Sequence, residues 1–334
     1  MPTSLVTGAA GFIGSHVVDA LIARGHNVIA LDDLSGGFVD NVNPKAVFIE
    51  ASCVDHTRLD RLFREYKFDY VFHLAAYAAE GLSHFIKRFN YTNNVIGSVN
   101  LINEAVKHEV KRFIFTSSIA VYGKNQLPMR EDLVPAPEDS YGVAKYAVEL
   151  DLKASHEMFG LDYVIFRPHN VYGERQNTGD KYRNVIGIFM NQLLAGDPLT
   201  IFGDGEQKRA FSYVGDVAPI IAESATLDAA RNEVFNVGAD TVYTVNQLAA
   251  EVMDAMSAKQ SINHLPARNE VVDAWSDHSK VQRIFSIHEE TPLSEGLSRM
   301  VEWVRQVGVR KSKPFEGIEI EKNLPGSWRQ TTHE

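Results

Sequence analysis

The chain has 334 residues, of which 45% are hydrophobic and 23% charged, a composition typical of a globular protein with a substantial core. Its net charge of −10 argues against nucleic acid or an anionic membrane as a partner, and a single cysteine, Cys53, excludes an internal disulfide. No apolar run approaches the roughly 20 residues of a membrane span, and the chain opens on a strand pattern rather than a signal peptide. We therefore expect a cytoplasmic protein.

A glycine-rich turn joins the first predicted strand, at residues 3–7, to a predicted helix at residues 12–23. In this context Gly8 permits the tight turn, and Gly11 lets the backbone approach a pyrophosphate. Gly14 lets the helix lie close to the sheet, and the helix N-terminus offers unpaired amides to an anion. The turn therefore predicts a dinucleotide-binding site.

The second predicted strand, at residues 28–31, ends in Asp32. A carboxylate at this place can accept hydrogen bonds from both adenosine ribose hydroxyls, and it would repel a 2′-phosphate. Residues 33–44 contain no Lys or Arg that could attract such a phosphate. The sequence therefore favours NAD over NADP.

Further strands and helices alternate along the first half of the chain. Strands are predicted at residues 46–49, 69–75 and 112–116, and helices at residues 56–66 (capped by Asp55), 93–108 and 140–159. This alternation predicts an α/β fold with a Rossmann-like, doubly wound parallel sheet. Ligands bind such sheets at the carboxyl ends of the strands.

Candidate catalytic residues lie at one of these strand ends and on the helix that follows. Tyr141 and Lys145 are four residues apart on a predicted helix and so share one face. A nearby ammonium favours the phenolate, so Tyr141 could act as an acid or base closer to neutral pH than its ordinary pKa allows. Ser118 could hydrogen-bond the same substrate oxygen.

Taken together, five motifs resemble the extended short-chain dehydrogenase/reductase family, and within it the nucleotide-sugar epimerases typified by UDP-galactose (UDP-glucose) 4-epimerase. The motifs are Gly8-x-x-Gly11-x-x-Gly14, Asp32, His73-Leu74-Ala75-Ala76, Thr116-Ser117-Ser118 and Tyr141-x-x-x-Lys145. The resemblance implies NAD binding by Gly8, Gly11, Phe12, Ile13, Gly14, Asp32, Asp33, Leu34, Ser52, Cys53, Leu74, Ala75, Ala76, Asn93, Tyr141 and Lys145.

The resemblance also implies a nucleotide-sugar ligand, UDP-linked by comparison with the type members. In the family's pattern, Asn170 contacts the diphosphate, and Asn184 with Val185 opens a helix that holds the nucleotide. Arg209 and Arg268 stand where guanidinium groups clamp phosphate oxygens, a task that suits their planar donors. Ser118 is expected to touch the sugar.

The reaction implied is NAD-dependent 4-epimerisation of a UDP-hexose through a transient 4-keto sugar. Dehydratases and decarboxylases of the family carry a carboxylate near Ile119 and Ala120, and some epimerases carry a cysteine there, but neither residue of this chain can donate or accept a proton. Ala274 replaces a bulky Tyr of some family pockets, which suggests room for an N-acetyl group.

Three residues differ from the family pattern, and two other functions are also compatible with the sequence. Ser52, Ala78 and His169 stand where the family usually has an Asp, a Lys and an aromatic residue. One alternative is another enzyme of the family, such as a UDP-uronic acid 4-epimerase or a keto-sugar reductase. The other is a non-catalytic NAD-binding sensor.

The resemblance divides the chain into an NAD-binding domain (residues 1–168, with some later segments returning to it), a smaller domain that mainly binds the nucleotide sugar (169–309) and a polar tail (310–334). A strand is predicted at residues 235–238, and helices at 245–259 and 293–307. No Cys/His spacing or EF-hand loop indicates a metal. By resemblance, the helices at 93–108 and 140–159 would pair with a second copy in a homodimer.

Overall fold

The computed structural model describes residues 1–124, 126–180, 182–267, 271–287, 289–310 and 315–328. Its strands are β1 (Thr3–Thr7), β2 (Asn27–Asp32), β3 (Val47–Glu50), β4 (Tyr70–His73), β5 (Arg112–Thr116), β6 (Tyr163–Pro168), β7 (Val171–Tyr172), β8 (Leu199–Phe202), β9 (Lys208–Ala210), β10 (Ser212–Tyr213), β11 (Glu233–Val237), β12 (Val242–Thr244) and β13 (Ile262–Leu265). Its helices are α1 (Phe12–Ala23), α2 (His56–Tyr66), α3 (Glu80–Ser83), α4 (Lys87–Tyr91), α5 (Gly97–Lys107), α6 (Ser140–Phe159), α7 (Val185–Ala195), α8 (Val214–Glu223), α9 (Val245–Met256), α10 (Ser279–Phe285) and α11 (Leu293–Val307).

Seven parallel strands form the main sheet, in the order β11-β6-β5-β4-β1-β2-β3. Helices cover both faces of this sheet, so its strands are buried and apolar. The predicted Rossmann-like, doubly wound fold is confirmed. The strand order reverses between β1 and β4, and a crevice opens at such a reversal, beyond the carboxyl ends of the strands.

Local sequence signals explain where several helices begin. Asp55 accepts a hydrogen bond from the Arg58 amide at the start of α2, and Thr244 forms a capping box with Gln247 at the start of α9. The helix predicted at residues 293–307 has the same bounds in the structure.

The helix predicted to begin at Asn93 begins earlier, so that boundary was wrong. Helical backbone starts at Lys87 and runs through α4, a π-helical turn (Thr92–Ile96) and α5 without a break. A π-helical turn widens the helix by one residue per hydrogen bond and is frequent at functional sites. Here it carries Asn93 and Asn94 at the edge of the crevice. The Asn94 side chain accepts a hydrogen bond from the Tyr77 amide and donates one to the Tyr77 carbonyl oxygen.

The second lobe is built from the later elements, which include α7, α9 and α11 and the small sheets β8-β13 and β9-β12. Strand β11 leaves this lobe and pairs with β6 in the main sheet. One apolar cluster joins the lobes, since Val6 of β1 belongs to the same buried group as Phe189 of α7 and Leu248 of α9.

A buried ion pair fastens α6 to the sheet. The Glu149 carboxylate accepts hydrogen bonds from Arg167 of β6 at 2.9 and 2.5 Å, and from the Ser117 hydroxyl at 2.6 Å. Arg167 also donates to the Tyr122 hydroxyl at 2.7 Å, and Tyr122 donates to Asn236 of β11. Both charged groups are almost completely buried, so every polar atom of the pair depends on these partners.

The residues Phe315–Trp328, which we call the C-terminal segment, lie on loops at the mouth of the crevice. The tail was predicted to be polar and to lie on the surface, yet the segment buries Leu324 and Trp328 in an apolar cluster with Leu82 and Ile86. Among all the residues that the structure describes, no helix is both long enough and apolar enough to span a bilayer.

We expect Arg167→Met to lower the free energy of unfolding by about 3–5 kcal/mol, because the Glu149 carboxylate would stay buried without its partner. The matched control is Arg64→Met, which removes an exposed pair with Asp60 and should cost about 1 kcal/mol or less. Urea unfolding of both variants measures the difference. Equal effects would contradict a structural role for the buried pair.

Candidate active site

The glycine-rich turn has the close backbone contacts that its sequence predicts. Gly8 has a φ of +69°, and a Cβ placed there would lie 2.8 Å from the Ala75 amide nitrogen of the next strand's loop. A Cβ on Gly14 would lie 1.9 Å from the Gly8 carbonyl oxygen. Side chains at either position would push α1 and β4 away from β1, so the turn requires glycine. The amide end of α1 consequently faces an open crevice.

That crevice is a cleft of about 720 Å³ between the two lobes. It brings together most residues predicted to bind the cofactor, namely Gly8, Gly11, Phe12, Ile13, Gly14, Asp32, Asp33, Ser52, Cys53, Leu74, Ala75, Ala76, Asn93, Tyr141 and Lys145. It also brings together the predicted substrate-binding residues Ser118, Asn170, Asn184, Val185 and Arg209. Residues 100 or more positions apart in sequence thus line a single cavity.

Asp32 is held in place at the end of β2 by backbone amides. Its carboxylate accepts hydrogen bonds from Ala10 at 3.0 Å and from Leu34 at 2.8 Å. Burial raises the pKa of Asp32, and these amide hydrogen bonds oppose the shift. Leu34 itself was predicted to bind cofactor, but its side chain is not part of the cleft lining, and its contribution is the amide that orients Asp32.

Ser52 and Cys53, two further residues predicted to bind the cofactor, lie in the turn after β3. The Ser52 hydroxyl, which replaces an Asp, accepts a hydrogen bond from the Val54 amide at 3.3 Å and so stabilises the turn after β3. Burial raises the pKa of Cys53 to about 12. The Cys53 thiol therefore stays protonated and acts as a small apolar wall of the cleft.

Tyr141 enters the cleft from the first turn of α6, which is fixed at its N-terminus. Asp139 accepts a hydrogen bond from the Gly142 amide at 2.8 Å and so caps α6. The Tyr141 amide donates to the Ser83 hydroxyl at 3.1 Å, and the Asn90 side chain donates to the Ser140 carbonyl. The phenol is consequently positioned by the cap and by the loop after β4.

Ser118 and Lys145 approach the same place from the end of β5 and from the second turn of α6. The Lys145 ammonium nitrogen donates to the Thr116 carbonyl at 2.8 Å and lies 5.8 Å from the centre of the Tyr141 ring. The Ser118 hydroxyl accepts a hydrogen bond from the Ala120 amide at 3.1 Å, and Ser118 lines the same cleft as Tyr141 and Lys145. The predicted Ser, Tyr and Lys therefore converge.

Burial opposes the lowered pKa that the sequence predicts for Tyr141. Burial raises the pKa of Tyr141, and the hydrogen bond from Ser118 opposes this only in part. Burial also lowers the pKa of Lys145 to about 7, against the attraction of Glu149. Both pKa shifts have the same cause, because burial disfavours the phenolate of Tyr141 and the ammonium of Lys145 alike.

Three charged residues that the sequence analysis did not single out lie beside these groups. Glu80, at the start of α3, raises the pKa of Tyr141, and Arg183 lowers it, although burial has the largest effect. Arg183 pairs with Asp180 at 2.7 Å and lies over the Tyr77 ring. Sequence spacing does not connect Glu80 with Asp180 and Arg183, because 100 positions or more separate it from them.

The residues predicted to bind the nucleotide and its phosphates line the cleft on the side away from the glycine turn. Asn170 has a φ of 39° and donates to the Ala210 carbonyl, and Asn184 precedes α7, which Val185 opens as expected. The Arg209 guanidinium donates to carbonyl oxygens of Lys208, Val271 and Val272. Arg268, the second expected clamp, lies outside the described residues.

His169 and Ala274 are both buried, and of the two His169 also lines the cleft. His169 bonds the Ala210 carbonyl at 3.1 Å and stacks on His278, which pairs with Asp240 at 2.6 Å. Burial lowers the pKa of His169 to about 3, so its ring is neutral. Ala274 belongs to an apolar cluster with Ile119 and Met129, and the room that it was predicted to leave for an N-acetyl group stays a prediction.

The cleft fits a dinucleotide on grounds of its own geometry. The glycine contacts leave no space for side chains where a pyrophosphate would approach α1, and Asp32 stands at the end of the neighbouring strand. The Thr116 hydroxyl oxygen is buried at the cleft wall and has no hydrogen-bond partner among the residues that the structure describes. A buried hydroxyl of this kind is expected to bond a ligand.

The chain belongs to the NAD dependent epimerase/dehydratase family, whose model matches residues 4–238. Three solved structures are similar over nearly their whole length. UDP-glucose 4-epimerase of Thermotoga maritima, solved with UDP-glucose, is 38% identical, with a TM-score of 0.87 over 91% of this chain and 99% of that chain. UDP-N-acetylglucosamine 4-epimerase of Methanobrevibacter ruminantium is 34% identical, with a TM-score of 0.84 over 92% and 98%.

The third structure is UDP-glucuronic acid 4-epimerase of Bacillus cereus, solved with UDP-glucuronic acid and NAD. It is 29% identical and has a TM-score of 0.84 over 91% of this chain and 99% of that chain. The predicted family and the predicted cofactor are therefore confirmed: this is an NAD-dependent nucleotide-sugar epimerase.

We expect the stability of the cofactor-free protein to depend on pH through Lys145. Its folded-state pKa is about 7 and its ordinary value 10.5, so between these values the unfolded chain holds a proton that the folded protein lacks. Stability should therefore rise with pH in this window, by up to about 1.4 kcal/mol per pH unit.

Urea unfolding across this window should show that Lys145→Met lacks this rise. The exposed Lys259→Met serves as the control and should follow wild type. Parallel curves for wild type and Lys145→Met would contradict the burial of an uncharged amine.

Proposed function

We propose that this enzyme interconverts UDP-hexoses that differ in configuration at C4, through a transient 4-keto sugar, with NAD as a bound and regenerated cofactor. The convergence of Ser118, Tyr141 and Lys145 beside the glycine turn is the observation that carries the proposal. The sugars named for the similar enzymes of T. maritima and M. ruminantium support a hexose, with or without an N-acetyl group.

Tyr141 is the acid and base of this reaction. Its phenolate takes the proton of the sugar O4 hydroxyl as the C4–H bond breaks, so the C4–O bond becomes a carbonyl. NAD held by the glycine turn and Asp32 would supply the acceptor and donor of the C4 hydride. Ser118 shares the moving proton through its hydroxyl, and Lys145 in its protonated form stabilises the phenolate.

The return step reverses the same proton transfer on the other face of the sugar. Tyr141 gives its proton back to O4 when the hydride reaches C4, so no proton or electron is gained or lost over the cycle. The 4-keto group has to turn between the two steps. We infer that Asn170 and Arg209 hold the nucleotide end, while the sugar end stays free to rotate.

Competing reactions of the family resemble this one but use a carboxylate just after the strand-end serine, and this chain has none at that position. Elimination or decarboxylation needs a further acid or base near the sugar, and the turn after Ser118 presents Ile119 and Ala120 at that place. Ile119 is buried in an apolar cluster. This supports simple transfer of the C4 hydride out and back.

Charge near Tyr141 supports a neutral hexose over a uronic acid. Glu80 and Asp180 lie on the cleft wall with Arg183, and Arg183 is already paired with Asp180. A sugar carboxylate placed close to Glu80 would meet a like charge. The B. cereus enzyme, which was solved with UDP-glucuronic acid, makes this the alternative to test.

We also propose a homodimer, as the sequence resemblance implies, in the cytoplasm that the composition led us to expect. Val143 and Leu150, seven residues apart and so on one face of α6, are 41% and 48% exposed. Ile96, beside the neighbouring α5, is 50% exposed. An apolar face of this kind, shared by two adjacent helices, suits pairing with its own copy about a twofold axis.

We expect the purified holoenzyme to convert UDP-glucose to UDP-galactose without net formation of NADH, as followed by proton NMR. Tyr141→Phe should lower kcat by about 10²- to 10⁴-fold, because the proton of O4 loses its acceptor. Tyr146→Phe, one turn further along α6, is the matched control and should keep wild-type kcat. Stoichiometric NADH formation instead of epimerisation would contradict the proposal.

We expect Glu80→Gln to raise the use of UDP-glucuronate relative to UDP-glucose by about fivefold, since one repulsive charge of roughly 1 kcal/mol is removed. The ratio of kcat/KM for the two substrates measures the effect. Glu157→Gln, on the exposed end of α6, removes the same charge far from the cleft and should leave the ratio unchanged. A preference of wild type for UDP-glucuronate would favour the alternative function.

A further inference from the structure

The C-terminal segment is tied to α4 by hydrogen bonds of both its backbone and its side chains. The Glu319 and Ile320 amides donate to the Phe85 carbonyl at 2.8 and 3.2 Å. The Glu319 carboxylate accepts the Arg88 and Phe89 amides, both at 2.9 Å. These are first-turn amides that have no partner within the helix, and a negative charge is favourable at this end.

Aromatic side chains connect the C-terminal segment to two loops of the cleft. The Phe315 ring lies 5.3 Å from Tyr77 and 4.9 Å from Phe89, and the Phe315 amide donates to the Tyr182 hydroxyl at 3.3 Å. The Trp328 ring lies 5.5 Å from Tyr182. The segment therefore joins the loop after β4 to the loop before α7, and both loops line the cleft.

Trp328 itself forms part of the cleft wall, although it is only 4% exposed. Its indole carbon lies 3.1 Å from the place where a Cβ on Gly81 would stand. Gly81 follows Glu80, whose charge acts on Tyr141, and Ser83 of the same short helix holds the Tyr141 amide. Trp328 consequently borders the reacting end of the cleft, away from Asp32 at the ribose end.

We propose that Trp328 is a wall of the hexose pocket that confines the 4-keto sugar while it turns. This inference rests on the proposed 4-epimerase function. A keto sugar held only through its nucleotide is free to swing, and it needs both room to rotate and a barrier against leaving. A large, rigid aromatic side chain in a fixed segment supplies the barrier and excludes water from the reacting carbon.

Escape of the intermediate has a defined chemical consequence. Oxidation of a UDP-hexose yields the UDP-4-keto sugar, a proton and NADH, and the hydride cannot return once the keto sugar has left. The enzyme is then trapped with NADH. Loss of the Trp328 wall should therefore appear as inactivation during turnover together with the absorbance of NADH.

The test compares the holoenzymes of wild type, Trp328→Ala, Trp328→Phe and Lys322→Ala, the last being an exposed residue of the same segment. Calorimetric titration gives the affinities for UDP and for UDP-glucose. Trp328→Ala should bind UDP-glucose about tenfold more weakly while keeping its affinity for UDP within about twofold. It should also accumulate NADH about tenfold faster per turnover, and Trp328→Phe should restore most of both properties.

The possible outcomes separate this inference from the proposed function. If wild type epimerises UDP-glucose and Trp328→Ala matches it in affinity and in NADH accumulation, only the role of Trp328 is overturned. Equal weakening of UDP and UDP-glucose would also overturn it, because it would indicate general disruption of the cleft. If wild type converts no UDP-hexose, both the proposed function and this inference fail.

Discussion

The ion pair between Glu149 and Arg167 is the constraint on which the catalytic geometry depends. Two opposite charges are buried between α6 and β6, and removal of either one would leave the other buried without its partner. Glu149 lies one turn after Lys145 on α6, and Arg167 lies on β6 just before the loop of Asn170. The pair therefore fixes α6, which carries the proposed acid-base residue Tyr141, relative to the strand that leads to Asn170, a proposed nucleotide-binding residue.

Local spacing predicted the parts of the site that depend on a single turn or helix. The glycine turn, Asp32 and the Tyr141-Lys145 pair each lie within one short stretch of chain, and the fold places them as their spacing implies. The start of the helix before Asn93 could not be predicted in this way. Its first-turn amides are satisfied by Glu319, more than 200 residues later in the chain.

Burial was the other quantity that the sequence could not supply. A Tyr and a Lys on one helical face suggested a lowered pKa for the phenol, but that argument holds only where solvent or a ligand carries the charges. Both side chains are buried in the cleft wall, so desolvation raises the pKa of Tyr141 and lowers that of Lys145. The sequence also could not predict that Glu80 lies near Asp180 and Arg183, because the fold brings these charges together from distant positions in the chain.

The apolar cluster that joins β1 to α7 and α9 has a mechanical consequence. Because one continuous core runs beneath both lobes and β11 returns to the main sheet, the lobes cannot swing apart without breaking that core. A hinge opening of the cleft would therefore expose apolar side chains of that core to water, at a free-energy cost that rises with the exposed area. Movement of the surrounding loops alone leaves the core intact.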